Sequence, residues 1–504
     1  MSAPQEMPWL SVCLRCQAEA VESFASSGRF WLPQTPSRQV HGDLAFDDGG
    51  VELHVYETLR GPTALSGTTR GGAMQWATEP VVYGRLRTGE EVTLLQASGL
   101  ALPVDVAEEN WSARFALRGG LAGEDCFSRV LVAFDYLLPW TQPAGIFRGA
   151  LTASSFTVDT AESVLADATL GDGRTVRLVT GVEGNRSDTT IRLDQWCAFE
   201  VAGQSAPLVE ILNDWVRPLQ DLLVVCIGMP VRLDDIRLGP GRELQLAFEA
   251  VQPTASGSRL VPLAGYAAPT LLTYAGSPVP FATLITEWFA LRERLPAAVA
   301  LLCGPYYAPF IYNQHSYGST FQSAEAIAKD LLAGREKLPS EHRRRVGAVK
   351  AVLQAADLDA DTAGWAIRIL QGRNDKPLRQ LIEELIAATG DIGSQLLAAL
   401  PDLAQRAAGE RAGVSHPRDA RPAPLERYWI GEALIWVVRV HLLAQLGVTM
   451  STLSARVTAK PMFERIVQEL RSLAGEEAGT ADPPMSGDGA SPAEQGEAVT
   501  PPAG

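Results

Sequence analysis

The sequence predicts an α+β multidomain fold: an N-terminal antiparallel β-rich sandwich or barrel-like domain with one inserted helix, then an all-α helical bundle, then a disordered acidic tail. Three observations predict it. Residues 28–253 alternate apolar and polar positions between turn signals, the apolar period lengthens to three and four beyond residue 270, and apolar mass nearly vanishes from residue 474. The expected division is an N-terminal extension over 1–24, a β-rich domain over 25–265, a helical domain over 266–473 and a tail over 474–504.

The strands announce themselves as hairpins. Leu44 and Phe46, then Val51, Leu53 and Val55, flank Asp47-Asp48-Gly49-Gly50. The same design returns around Thr88-Gly89-Glu90, around Asp172-Gly173, and around Gly239-Pro240-Gly241, which Ile236 and Leu238 precede and Leu244, Leu246 and Phe248 follow. One helix interrupts this pattern over 208–225, where Leu208, Ile211, Leu212, Trp215, Leu219, Leu222 and Leu223 form an apolar stripe that reads as core. Trp31, Tyr56, Trp76, Trp111 and Trp140 are also expected to be core aromatics, since no cluster of polar residues accompanies them as in a ligand groove.

Beyond residue 270, Leu284, Trp288, Leu291 and Leu295 mark a helix that Pro296 kinks or breaks. Further helices are expected over 324–333, 341–356, 377–389, 392–411, 424–446 and 462–473, with Gly447 as a natural C-cap.

A formal charge of -15 excludes a broadly basic surface that coats nucleic acid. Six acids and no Lys or Arg lie from Glu476 onward, so the part before the tail carries about -9. No apolar run is long enough to span a bilayer and residues 1–22 lack the blocks of a signal peptide, so a cytoplasmic protein with no membrane partner is expected. Six cysteines spread over the chain make no disulfide framework. Cys13 and Cys16 have zinc-ligand spacing but no second pair, although His41 or Cys126 are potential companions; ordinary thiols are the simpler reading. No metal site and no cofactor is expected.

The candidate chemistry lies in Arg411-Ala412-Gly413-Val414-Ser415-His416, which closes one predicted helix ahead of a Pro/Arg-rich loop. An imidazole exchanges protons near neutral pH, and a guanidinium binds charge that builds on phosphoryl oxygens. The two together suffice for metal-free cleavage of RNA through its 2'-hydroxyl. The spacing alone is weak, and Arg335 with His342 is a decoy at a helix boundary. Arg418, Arg421 and Arg427 follow the motif and are candidate RNA-binding residues. His441 sits on an apolar helix face and reads as a core histidine, whereas His41 and His54 show no carboxylate or cysteine companion. There is no phosphate-binding Gly-x-x-x-x-Gly-Lys loop, no dinucleotide fingerprint and no His-Glu-x-x-His.

An Arg-x4-His motif between two long helices, followed by the helix with Trp436-Val437-Val438 and its Leu442-Leu443-Ala444-Gln445-Leu446-Gly447-Val448 end, resembles the HEPN superfamily, in particular its ApeA-like branch. The first domain resembles the ApeA N-terminal domain through Gly28-Arg29-Phe30-Trp31-Leu32-Pro33, Val40-His41-Gly42-Asp43-Leu44-Ala45-Phe46 and Tyr83-Gly84-Arg85-Leu86 leading into Val92-Thr93-Leu94-Leu95. The resemblance implies a metal-independent endoribonuclease toxin of anti-phage defence by abortive infection. It further implies a homodimer or higher homo-oligomer that joins two motifs in one cleft, and a β-rich domain that senses a phage-derived trigger. By the same resemblance Arg411 binds the scissile phosphate, His416 is the general acid or base, and Ser415 at most orients them. The family often carries Asn or another polar residue after the arginine, and this chain has Ala412. Two other readings stand beside it: a catalytically silent HEPN module that binds RNA or protein while the β domain recognises a ligand, and a carbohydrate-active sandwich, for which no carboxylate pair across a groove is evident.

Overall fold

The computed structural model describes residues 24–47, 50–60, 75–101, 108–122, 126–142, 149–151, 156–158, 163–186, 191–239, 244–247, 269–307, 313–331, 339–356, 358–372, 376–415 and 424–480. Six strands, β1 (Phe24–Trp31), β2 (Val40–Asp47), β3 (Gly50–Val55), β4 (Gln75–Leu86), β5 (Glu91–Ala101) and β6 (Glu109–Arg118), run antiparallel in the order β6-β3-β2-β1-β4-β5. A pairing of β5 with β6 closes them into a barrel. Period-two alternation sends Leu44, Phe46, Val51, Leu53, Val55, Val82, Leu94, Trp111 and Phe115 inward, all essentially without exposure.

The expectation of a sandwich or a barrel thus resolves into a barrel with an attached sheet. Along one edge of β6, Val51 to Val55 pair with residues 109–113, while residues 116–118 pair with β14 (Leu244–Ala247). From there the sheet continues through β13 (Leu233–Gly239), β7 (Cys126–Phe134), β12 (Ile191–Pro207), β11 (Thr175–Arg186) and β10 (Ser163–Thr169). A short helix α1 (Leu137–Thr141) follows β7, and β8 (Gly149–Leu151) pairs separately with β9 (Phe156–Val158). The expected hairpins connect β2 to β3, β4 to β5, β10 to β11 and β13 to β14. Asp48, Gly49, Pro240 and Gly241 lie outside the described residues.

The inserted helix is present and longer than expected: α2 (Leu208–Glu210), a π-helical turn (Ile211–Val216) and α3 (Arg217–Ile227) run on as one. Its stripe is core, with Leu208, Ile211, Trp215, Leu219, Leu222 and Leu223 buried. Trp31, Trp111 and Trp140 are core as well, but Trp76 is 78% exposed and Tyr56 43% exposed, which corrects the expectation for both. In a barrel wall every second residue faces outward, and an aromatic side chain by itself does not tell which face it takes.

The helices that follow are α4 (Phe281–Arg294), α5 (Pro296–Tyr307), α6 (Asn313–Leu331), α7 (Pro339–Ala355), α8 (Ala360–Gly372), α9 (Leu378–Ala387), α10 (Asp391–Ala399), α11 (Leu403–Ser415), α12 (Pro424–Gln445), α13 (Met450–Thr458) and α14 (Pro461–Thr480). Pro296 does break the first of them, and Gly447, at a φ of 90°, ends α12 as expected. The single helix expected over 392–411 is two, because Leu400 before Pro401 is extended at φ -140°, the conformation that proline imposes on its predecessor. Residues 474–480, expected in a disordered tail, continue α14; residues 481–504 lie outside the described residues. α5, α8 and α13 went unread in the sequence. No helix among the described residues is long and apolar enough to cross a membrane.

One apolar core runs from the sheet through α3 into the helices. At its centre Arg439 of α12, 2% exposed, donates from Nε to the Val225 carbonyl at 2.9 Å and from Nη2 to those of Cys226 at 3.2 Å and Pro269 at 3.0 Å. The guanidinium thereby caps the C-terminal, negative end of α3. Gly228, at φ 77°, admits it: a Cβ there would lie 2.3 Å from Nη1. A second link is Asp221 of α3, 2% exposed as a side chain, which meets Arg217, accepts from Tyr307 of α5 at 2.7 Å and lies 3.2 Å from Arg292 of α4. Burial raises its pKa, against the pull of the arginines.

Truncation of Arg439 would take the guanidinium from the Val225 and Pro269 carbonyls and leave that of Cys226 only its bonds from the Leu271 and Leu272 N–H groups. Arg439→Ala is expected to lower unfolding free energy by roughly 3 kcal/mol or more, read from the denaturant midpoint. Where β13 begins, burial and then the neighbouring Asp135 carboxylate push Asp234 up to about 8 from 3.8. A raised carboxyl pKa stabilises the fold fully below the unfolded value, and that contribution is lost as pH rises toward the folded value. Asp234→Asn is therefore expected to flatten the decline of stability between pH 5 and pH 8, by at most about 1.4 kcal/mol per pH unit, in denaturant titrations at both pH values.

Candidate functional site

The candidate motif ends α11, and the packing that fixes this helix comes from small and apolar residues on one face of its first two turns. Leu403, Ala404 and Ala407 are buried, and α11 lies against α6, α9 and α12. The small side chains of Ala404 and Ala407 let the helices approach closely. Charges then set the rotation of α11. Arg406 donates to Asp402 at 2.9 Å and to Glu426 of α12 at 2.7 Å, and Arg427 of α12 donates to Glu410 at 2.5 Å. The first two turns of α11, through Glu410, are thus pinned to the first turn of α12, with residues 416–423 between the two helices in sequence.

Arg411 follows Glu410 on this helix. Its Nε donates to Glu325 of α6 at 2.9 Å, and its side chain is 28% exposed. Glu325 also accepts from Lys329 at 2.7 Å. Burial pushes the Glu325 pKa up, but Lys329 and Arg411 outweigh it and hold the carboxyl below its ordinary value. The carboxylate is charged at neutral pH, and it competes with any anion for Arg411.

The contact of α6 with α12 is aromatic and acidic. Tyr317 donates to Glu432 at 3.2 Å, and its ring meets that of Tyr428 edge-on. Only glycine fits at position 431, because a Cβ there would fall 2.0 Å from the Tyr317 ring. Burial raises the Glu432 pKa, against the hydrogen bond from Tyr317 and the charge of Arg439. Glu325, Glu410, Glu432 and Tyr317 escaped the sequence reading. Only the i, i+4 spacing of Glu325 and Lys329 is a local sign of any of them.

Of the expected site residues the structure describes two. Arg411 and Arg427 both lie at the α11–α12 junction, each against a carboxylate of its own chain. His416, Arg418 and Arg421 lie outside the described residues, as do Arg335, Cys13 and Cys16. Arg427 has a structural task, since its partner Glu410 is only 3% exposed. His441 is the core histidine expected: Nε2 bonds the Leu385 carbonyl at 2.8 Å, and burial lowers its pKa. His54 does have companions, Asn110 at 2.7 Å and Glu108 at 3.7 Å, which corrects the expectation that no carboxylate accompanies it.

Residues 26–242 match ApeA N-terminal domain 1, and residues 319–452 match the Apea-like HEPN domain. The chain has the ApeA-like domain arrangement. The first match covers the barrel and most of the sheet that continues it, and the second spans α6 to α12 with the whole Arg411 to His416 motif. No curated protein and no solved structure matches the chain.

Removing Arg427 would leave the Glu410 carboxylate buried without its cation. Arg427→Ala is expected to cost about 3 kcal/mol, and adding Glu410→Gln to recover most of it, as measured by thermal and denaturant unfolding.

Proposed function

We propose that this chain is a metal-independent endoribonuclease of anti-phage defence by abortive infection, with Arg411 and His416 as its catalytic residues. The observation that carries this reading is the Apea-like HEPN match over 319–452, which encloses both residues and follows an ApeA N-terminal domain. HEPN domains typically dimerise and bind RNA, and the functional unit proposed is a homodimer that joins two motifs in one cleft.

In this mechanism the 2'-hydroxyl of a ribose attacks the adjacent phosphorus, the P–O5' bond breaks, and the products carry a 2',3'-cyclic phosphate and a 5'-hydroxyl. His416 takes the 2'-hydroxyl proton or gives one to the leaving 5'-oxygen; the second subunit's motif is available for the complementary transfer. Arg411 exchanges Glu325 for the scissile phosphate, whose equatorial oxygens gain charge in the transition state. Arg418 and Arg421 supply the local positive charge that RNA requires of an acidic chain, and Arg427 contributes by holding the start of α12. Ala412 offers no hydrogen bond of its own. The β-rich domain is the proposed sensor of a phage-derived trigger.

The pairing of Arg411 with Glu325 and of Arg427 with Glu410 favours a second reading, a catalytically silent HEPN module that binds RNA or a partner protein. One experiment separates the two. Purified protein is expected to cleave RNA in EDTA to cyclic-phosphate ends, with His416→Ala reducing the rate at least about a hundredfold. Undiminished cleavage by that variant would reject His416. RNA affinity that depends on Arg411 without cleavage under any trigger would select the silent module.

A further inference from the structure

We infer that the outer face of α8 is a self-complementary surface on which a second copy of this chain docks about a two-fold axis. α7 and α8 pack mainly on each other, and no described side chain of either is buried. Every other described helix beyond residue 270 buries apolar side chains. Val346 and Leu353 on α7, and Ile367 and Leu370 on α8, are half-buried and mark the sides that the two helices turn to each other. The side of α8 away from this seam carries Asp361, Trp365, Arg368 and Ile369, which fall on one helical face at i, i+4, i+7 and i+8. Trp365 is 59% exposed and Ile369 40% exposed, while Asp361 and Arg368 are exposed as well. Tryptophan at the centre of a small apolar face, rimmed by charge, is the composition of an interface centre.

The order of the charges selects the partner. Two copies of α8 laid antiparallel with their Trp365 side chains at the axis bring Asp361 of each opposite Arg368 of the other. The residues thus form two identical ion pairs flanking a Trp365 and Ile369 centre, as an isologous contact demands. The helix dipoles then oppose each other, and the helix is about 20 Å long, enough for about three and a half turns of contact. RNA fits this face less well, because Asp361 would repel a polyanion. The pairing does not rest on the nuclease reading, and it is tested without catalysis, so the two ideas fail separately.

Sedimentation equilibrium of the full chain tests it. The wild-type protein is expected to be dimeric at micromolar concentration, and Trp365→Glu to raise the dimer dissociation constant at least about a hundredfold. Asp361→Arg alone and Arg368→Asp alone each set like charges opposite one another twice and are expected to raise it about tenfold. The double exchange restores both pairs and is expected to return most of the affinity. Unchanged circular dichroism checks that α8 persists in each variant. A monomeric wild type, unchanged dimerisation of Trp365→Glu, or no recovery in the double variant would overturn the proposal. Loss of binding to a fluorescent RNA without a change in mass would instead assign the face to RNA. A dimer that fails to cleave RNA would leave the docking face standing and remove the nuclease reading.

Discussion

The Arg439 guanidinium at the end of α3 is the contact on which the rest of this architecture depends. A charge at full burial is tolerated only where oxygen atoms replace its water, and three backbone carbonyls from residues 225, 226 and 269 do so here. Those carbonyls belong to the helix inserted in the sheet and to the segment leading out of it, whereas the arginine belongs to the longest helix that follows. The segment is held further: Trp140 donates to the Leu272 carbonyl at 3.0 Å and Arg456 to that of Leu271 at 2.7 Å. Sheet and helices are therefore joined through hydrogen bonds whose loss would expose unsatisfied groups to an apolar core. A movement of α3 would be felt at α12.

This geometry gives the proposed sensing role a physical route. α12 is anchored at its middle by Arg439 and at its start by Arg427 and Glu426, which hold α11. A displacement of α3 by a ligand on the sheet would bear on α12 and hence on the α11 end that carries Arg411. The π-helical turn over residues 211–216 lies just before α3, and Asp221 ties α3 to α4 and α5 as well. Coupling of this kind needs two discrete arrangements of the same contacts. The Glu325–Arg411 pair supplies one of them, with the arginine held by its own chain.

What the sequence revealed was local, and what it hid was distant. The hairpin at Asp47 to Gly50, the turn glycines 89 and 173 and the cap at Gly447 were legible because a positive φ or a period of two is encoded within a few residues. The stripe from Leu208 to Leu223 was legible for the same reason. The break at Pro401 was not, since the apolar period of residues 392–411 carries across it and only the proline speaks against one helix. α8 was missed because its apolar residues are split between a seam with α7 and an outer face, with Gly364 between them. Arg439 was invisible as a structural residue: its partners lie 170 to 214 positions away in the chain. The motif at Arg411 was found by spacing and resemblance, yet its carboxylate partner, 86 residues earlier, had no signal that pointed to it.

The carboxylates around the motif also bear on the RNA binding proposed for this acidic chain. A net charge of -15 already disfavours a polyanion, and Glu325, Glu410 and Glu426 bring negative charge to the helices that bear the arginines. Glu410 and Glu426 serve the fold, since their partners Arg427 and Arg406 are themselves largely buried. Glu325 differs in facing a more exposed arginine and in carrying a second cation, Lys329. If a phosphate displaces it, Lys329 stays beside the released carboxylate and limits the repulsion between that carboxylate and the phosphate. In the proposed mechanism Arg411 would therefore change partners without leaving a bare buried charge behind, which Arg427 cannot do. That difference separates the anion-binding role proposed for Arg411 from the structural one of Arg427, two arginines that the sequence alone presents as equals.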